Sequence, residues 1–155
     1  CLFLCWSLRL HKINHLHFGR CCRALCVSEM ETHFLNIDLD IESKADISTL
    51  VSELEASLTL MTNHVCEGIN RASFESEYSS IEEIIEKYVT TISSLGDEAA
   101  LQWNNCRKRE FNLGFQAENS PRSYEKSISA ESLSKISSVN GQVGITVYAP
   151  EGANT

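Results

Sequence analysis

Ten residues, from His33 to Glu42, constrain this chain more than any others because their character alternates: Leu35, Ile37, Leu39 and Ile41 fall on one side, Asn36, Asp38, Asp40 and Glu42 on the other. Side chains leave a strand on opposite sides in turn, so this period reads as a half-buried β-strand with one dry and one wet face. Such a strand needs a sheet to join and an apolar layer over one side only. The fold class that follows is α+β, with helices packed on one face of the sheet.

The remaining chain supplies those parts. Ile47, Leu50, Val51 and Leu54 recur at helical spacing and predict a short amphipathic helix over 46–56, capped by Ser43 or Asp46. Weaker strand patterns at 58–65 and 72–78 are separated by the turn-prone Gly68 and Asn70. The longest helix is predicted over 80–95, where Ser80 and Glu83 form a capping box and Ile81, Ile84, Ile85, Tyr88, Val89, Ile92 and Leu95 make one stripe. Gly96 is expected to end it in the left-handed conformation. Asp97 can then cap a short helix through Ala99, Ala100, Leu101 and Trp103, after which Phe111, Leu113 and Phe115 alternate with polar neighbours as a strand. A helix from about Ser129, with Leu133, Ile136 and Val139 inward, stops at Asn140-Gly141 and leads to a closing strand of Val143, Ile145 and Val147. The order β-α-β-β-α-α-β-α-β predicts a two-layer sandwich with a largely antiparallel sheet, ferredoxin-like or a near relative.

Charge divides the chain in two. Arg9, Lys12, Arg20 and Arg23 stand in the first 28 residues with no acid among them; from Met30 onward nine basic residues face 20 acidic ones, a net of -11 within a total of -8. That balance repels nucleic acid and anionic lipid and steers a basic partner inward. Cysteine is divided likewise, with Cys66 and Cys106 alone in the acidic part. Sparse thiols fit a reducing cytoplasm, and a Cys66–Cys106 bridge stays open at this point. No stretch has the length of apolar sequence that spans a bilayer.

Residues 1–29 have no helical or strand period and read as an extension outside the domain, or as translated upstream sequence ahead of Met30. A secretory signal would set its charges before its apolar core, whereas here the apolar residues come first. A zinc site drawn from His11, His15, His17, Cys21, Cys22 and Cys26 has only the two histidines His11 and His15 at a ligand spacing. The domain is therefore expected over 30–150, with a frayed tail over 151–155.

Phosphate-binding, zinc-protease, nucleophile-elbow and C-x-x-C signatures are absent from the sequence. His64 and Cys66, two apart on a strand, share a face as a nucleophile pair would, but no third residue to orient the histidine is apparent. Asp38, Asp40 and Glu42 stand in a row and offer hard oxygen ligands for Mg²⁺ or Ca²⁺, although a divalent site needs ligands converging from several elements. Trp103, Phe111 and Phe115 read as core, because no basic groove accompanies them as a base-stacking platform requires.

The segments FLNIDLDIESKADI, SSLGDEAALQWNNC, FNLGFQAE and ISAESLSKISSVNGQVGITVYAP resemble a group of small bacterial domains of unknown function. The similarity covers about residues 32–150 and carries no catalytic motif. It implies an immunity-type protein of a bacterial toxin system. The sequence thus leads to a non-enzymatic acidic binding protein that needs no cofactor or metal and takes a basic protein partner, neither nucleic acid nor membrane. Its expected docking residues are Asn36, Asp38, Asp40, Glu42 and Tyr148, all on the wet face. The alternatives are a small divalent-metal enzyme using the Asp38/Asp40/Glu42 row, or a regulatory ligand-binding module.

Overall fold

The computed structural model describes residues 31–119 and 123–150; the extension over 1–29 with its zinc reading, and the tail over 151–155, lie outside them. The elements run β1 (His33–Ser43), α1 (Ser48–Glu55), β2 (Thr59–Cys66), β3 (Ile69–Glu75), α2 (Ile81–Ser93), α3 (Asp97–Asn105), β4 (Lys108–Gln116), α4 (Ala130–Ser138) and β5 (Gln142–Tyr148), in the order expected. They build one five-stranded sheet, β2-β3-β1-β4-β5. The first three pairings along that order are antiparallel, and β5 runs parallel to β4. The four strands β2-β3-β1-β4 keep the order and alternating directions of a ferredoxin-like split βαβ unit. α4 is the crossover that a parallel fifth strand requires.

One apolar cluster lies between the sheet and the helices. Ile37, Leu39 and Ile41 of β1, Ala72 and Phe74 of β3, and Phe111 and Leu113 of β4 form its floor; Ile81, Ile84, Ile85, Tyr88 and Ile92 of α2 form much of its roof. The Tyr88 hydroxyl donates to the Ile37 carbonyl at 2.6 Å, with the Phe74 carbonyl at 3.2 Å as a second, weaker acceptor. Burial raises the Tyr88 pKa far above the ordinary phenol range, so this donor stays protonated. Trp103 donates its indole N–H to the Val139 carbonyl at 2.9 Å and ties α3 to the end of α4.

Several local expectations are corrected. Gly96 has φ -66 and is the N-cap of α3, its N–H donating to Glu53 Oε2 at 2.8 Å; α2 ends at Ser94 with no left-handed residue. Asp97 is accordingly the first residue of α3 and not its cap. α1 begins after Ile47 without a side-chain cap, because the Asp46 carboxylate binds Ser48 two residues on. The β2–β3 connection is a two-residue turn at Glu67 and Gly68, both at positive φ, the conformation that matches the twist of a hairpin. Cys66 is exposed at this hairpin and Cys106 is buried, and both are free thiols.

Side-chain facing departs from simple alternation in three places. Between Phe34 and Ile37, β1 carries an extra residue against β4, a bulge that turns Phe34 toward the helices and leaves Leu35 exposed. Phe34 then meets Phe115 edge to face, and Phe115 meets Tyr124 in the same way. On α3 the inward pair is Ala99 and Trp103, four apart, and Leu101 lies outside. On α4 the inward residues are Ser132, Ile136 and Val139; Leu133 is exposed, as are Val143, Ile145 and Val147 on β5, because among the described residues no helix extends over this edge of the sheet.

α4 stops as expected, with Asn140 at φ 56 and the Gly141 N–H donating to the Ile136 carbonyl at 3.0 Å. A Cβ on Gly141 would lie 2.6 Å from Phe111 Cε2 and 2.9 Å from Ile136 Cγ2, neither of which can retreat within a close-packed core. Gly141→Ala is therefore expected to destabilise the fold by about 1–3 kcal/mol. Chemical denaturation checks this, and an unchanged midpoint would show that Phe111 has room to move.

Candidate functional site: the open face of the sheet

The helices lie on one face of the sheet, and among the described residues nothing packs over the other. Cross-strand pairing gathers on that open face Asn36, Asp38, Asp40 and Glu42 of β1, Arg71, Ser73 and Glu75 of β3, Thr62 and His64 of β2, Lys108, Glu110, Asn112 and Gln116 of β4, and Thr146 and Tyr148 of β5. The five residues singled out in the sequence, Asn36, Asp38, Asp40, Glu42 and Tyr148, all stand here. They do not form one acidic patch.

The row is graded along β1. At one end Glu42 is held by Arg107 and Arg71, the latter at 3.2 Å, and its bond to Arg107 keeps its carboxyl below the usual range. In the middle Lys108 stands 3.5 Å from Asp40 and 2.7 Å from Glu110. At the other end, among the described residues, no cation is paired with Asp38 or Glu75. Both carboxylates instead accept from one neutral amide, Asn36 Nδ2, at 3.1 Å to Asp38 Oδ1 and 2.5 Å to Glu75 Oε1. Partial burial pushes the Asp38 pKa up to about 6, Asp40 and Glu75 add to the rise, and the Asn36 bond opposes it.

The bulge of β1 lies at this unpaired end. Asn36 stands on the open face between Asp38 and Glu75, as alternation places it, and the bulge brings Leu35 out beside it. On the next strand Gly114 leaves a gap: a Cβ there would meet Asn36 Oδ1 at 3.3 Å, and Leu35 Cβ and Tyr148 Cε2 at 3.7 Å each. Leu35 and Tyr148, 43% and 47% exposed, thus make a small apolar shelf against the acidic pair. The alternating sequence gives the whole row without distinguishing its Asp38 end, and Glu75 and Leu35 are not legible there. Glu75 joins the site through the β1–β3 register, and Leu35 through the bulge.

The other chemical candidates are not brought together. Glu42 and Asp40 spend their oxygens on arginine and lysine, and among the described residues no group of three or more His, Cys, Asp or Glu is placed to hold a metal ion. His64 lies opposite Arg71 on edge strand β2, and Cys66 is exposed at the hairpin beyond it. A cleft of about 620 Å³ runs between α2 and α4 past Tyr78, Glu82 and Thr90. Of its two lysines, Lys87 and Lys135, the second is already bound to Glu86 and Glu131. No helix among the described residues is long and apolar enough to cross a membrane.

The chain is thus a mixed α+β domain whose sheet has one face uncovered among the described residues. No family model, curated protein or solved structure matches it.

Asp38 has a measurable consequence. Its folded pKa exceeds its unfolded value near 4, so between those values the folded state holds the extra proton. The associated stability is full below the lower value and is lost as pH rises through about 6. Allowing for solvent screening of a half-buried group, charged Asp38 destabilises by roughly 1 kcal/mol. Asp38→Asn is therefore expected to be more stable than wild type by about that amount at pH 8, with the gap closing by pH 4. Thermal melts across this range check it; equal stability at pH 8 would place a counter-charge beside Asp38.

Proposed function

We propose that this chain is a non-enzymatic binding protein that captures a basic protein partner on the open sheet face, with Asp38 and Glu75 as its charged focus and Leu35 and Tyr148 as its apolar flank. One observation carries the reading: two carboxylates on neighbouring strands share a single neutral amide and, among the described residues, lack a cation. An arginine or lysine from a partner supplies the missing charge and removes the repulsion that the free protein bears. The surrounding charge of -8 steers such a partner, and the neighbouring apolar shelf gives it something to desolvate.

An immunity protein that masks a basic toxin or nuclease domain works in this way, and the resemblance drawn from the sequence agrees with that use. Catalysis is the weaker reading, since the acidic row is consumed by internal ion pairs at Asp40 and Glu42. The ion-paired end has a different part: Arg71, Arg107 and Lys108 repel a partner's cations and so direct them toward Asp38.

The test is titration with a short peptide rich in lysine and arginine at low salt, followed by amide chemical shifts. The expected shifts centre on Asn36, Asp38 and Glu75 and weaken with salt. In Asp38→Lys the peptide should bind at least about tenfold more weakly, about 1.4 kcal/mol. Shifts scattered over the acidic helices, or binding that survives the charge reversal, would defeat the proposal.

A further inference from the structure

Asp38 and Glu75 stand on neighbouring strands and accept from the same nitrogen, Asn36 Nδ2, at 3.1 Å and 2.5 Å. The amide offers one N–H to each carboxylate and carries no charge, so it holds the two together without neutralising either.

The neighbours on each side leave that charge in place. Along β1 the next residue of the open face is another acid, Asp40. On β4, Asp38 faces the neutral Asn112, whose Oδ1 accepts from Thr146 Oγ1 at 2.9 Å. On β2, Glu75 faces the neutral Thr59. From the helix layer, Tyr88 gives its hydroxyl proton to backbone carbonyls. Lys108 lies opposite Glu42, two open-face positions farther along, and binds Asp40 and Glu110.

Two carboxylates in such a setting hold a proton more tightly than either would alone, because its loss sets like charges side by side in a partly dry place. Burial, followed by Asp40 and Glu75, accordingly raises Asp38 to about 6 against the opposing Asn36 bond. The missing positive charge has two sources, a proton from solvent or an arginine or lysine. They compete, since a protonated Asp38 offers a cation no charge to pair with.

We infer that capture of a cation at this end of the face expels a proton from the Asp38–Glu75 pair, so that the face binds in neutral solution and lets go in acid. The inference rests on the capture proposed above and adds its regulation. The Asp38 O–H bond breaks, its proton passes to solvent, and an N–H of the arriving cation takes the vacated oxygen. By linkage the proton weakens cation binding by the same factor as the cation weakens proton binding. Affinity is therefore full where Asp38 is charged and falls as pH drops through about 6. Glu42, whose carboxyl Arg107 holds below the usual range, keeps its charge through the same interval, so the ion-paired end of the row takes no part.

Isothermal titration calorimetry of the full chain with an end-blocked peptide of lysine and arginine, in buffers of different ionisation enthalpy, counts the protons released. The peptide has no group that titrates between pH 5 and 8. The five histidines of the chain are common to wild type and Asp38→Asn, so a difference between these two proteins belongs to Asp38. At pH 6 the wild type is expected to release about half a proton more per bound peptide than Asp38→Asn, and at pH 8 the two should release equal amounts. From pH 8 to pH 5 the wild type should lose at least about fivefold more affinity than Asp38→Asn. Glu75→Gln, which removes one of the like charges, should release less than wild type at pH 6. If the peptide binds the open face at pH 8 but wild type and Asp38→Asn release the same number of protons at pH 6, the inference is overturned and the capture reading stands. Absence of binding at pH 8 would overturn both.

Discussion

The hydroxyl of Tyr88 holds together the part of this domain on which its proposed function rests. β1 and β3 pair from Ser43/Asn70 up to Leu39/Phe74, one residue before β3 ends at Glu75. Tyr88 reaches down from α2 at the end of this pairing and bonds to the carbonyls of Ile37 and Phe74. Each carbonyl belongs to the peptide link leading into the next residue, Asp38 on β1 and Glu75 on β3. One buried donor in the helix layer therefore fixes the spacing of two carboxylates on the other side of the sheet. Removing it would leave two buried carbonyls short of a partner at about 1–3 kcal/mol each in an apolar setting.

Much of this was legible in the sequence because it depends on period. The dry face of β1, the stripe of α2 and the inward residues of β4 follow from alternation and helical spacing, and the structure buries Ile37, Leu39, Ile41, Ile84, Ile85, Phe111 and Leu113 accordingly. What depends on pairing was not legible. The bulge at Leu35-Asn36 arises from the register between β1 and β4, and it overrides the alternation of β1 itself. Leu133, Ile145 and Val147 have the pattern of core residues, but edge position leaves them without a covering helix. Gly96 shows the same limit locally: glycine after a helix reads as a left-handed stop, and here it opens the next helix instead.

The acidic face likewise has the right residues for the sequence reading and a different electrostatic character. Its carboxylates were legible one by one, whereas Arg71, Lys108 and Arg107 reach them only through cross-strand neighbours. These contacts convert an apparent row of equal charges into a gradient from paired Glu42 to unpaired Asp38. In the proposed function, specificity for a cationic partner would lie in one end of the strand, next to Leu35 and Tyr148. The rest of the row contributes to the sheet itself by tying β1 to β3 and β4 on the solvent side.

The account turns on Asp38 being held against Glu75 and Asp40 with no counter-charge beside it among the described residues. Carbon-detected nuclear magnetic resonance of the Asp38 carboxyl during a pH titration measures that directly. The predicted result is a midpoint at about 6 in the free protein, moving down toward the ordinary carboxylate range in Glu75→Gln and in Tyr88→Phe, where the neighbour is neutralised or the strands are released. An Asp38 that titrates near 4 in the free wild-type protein, as an ordinary exposed aspartate does, would contradict the account.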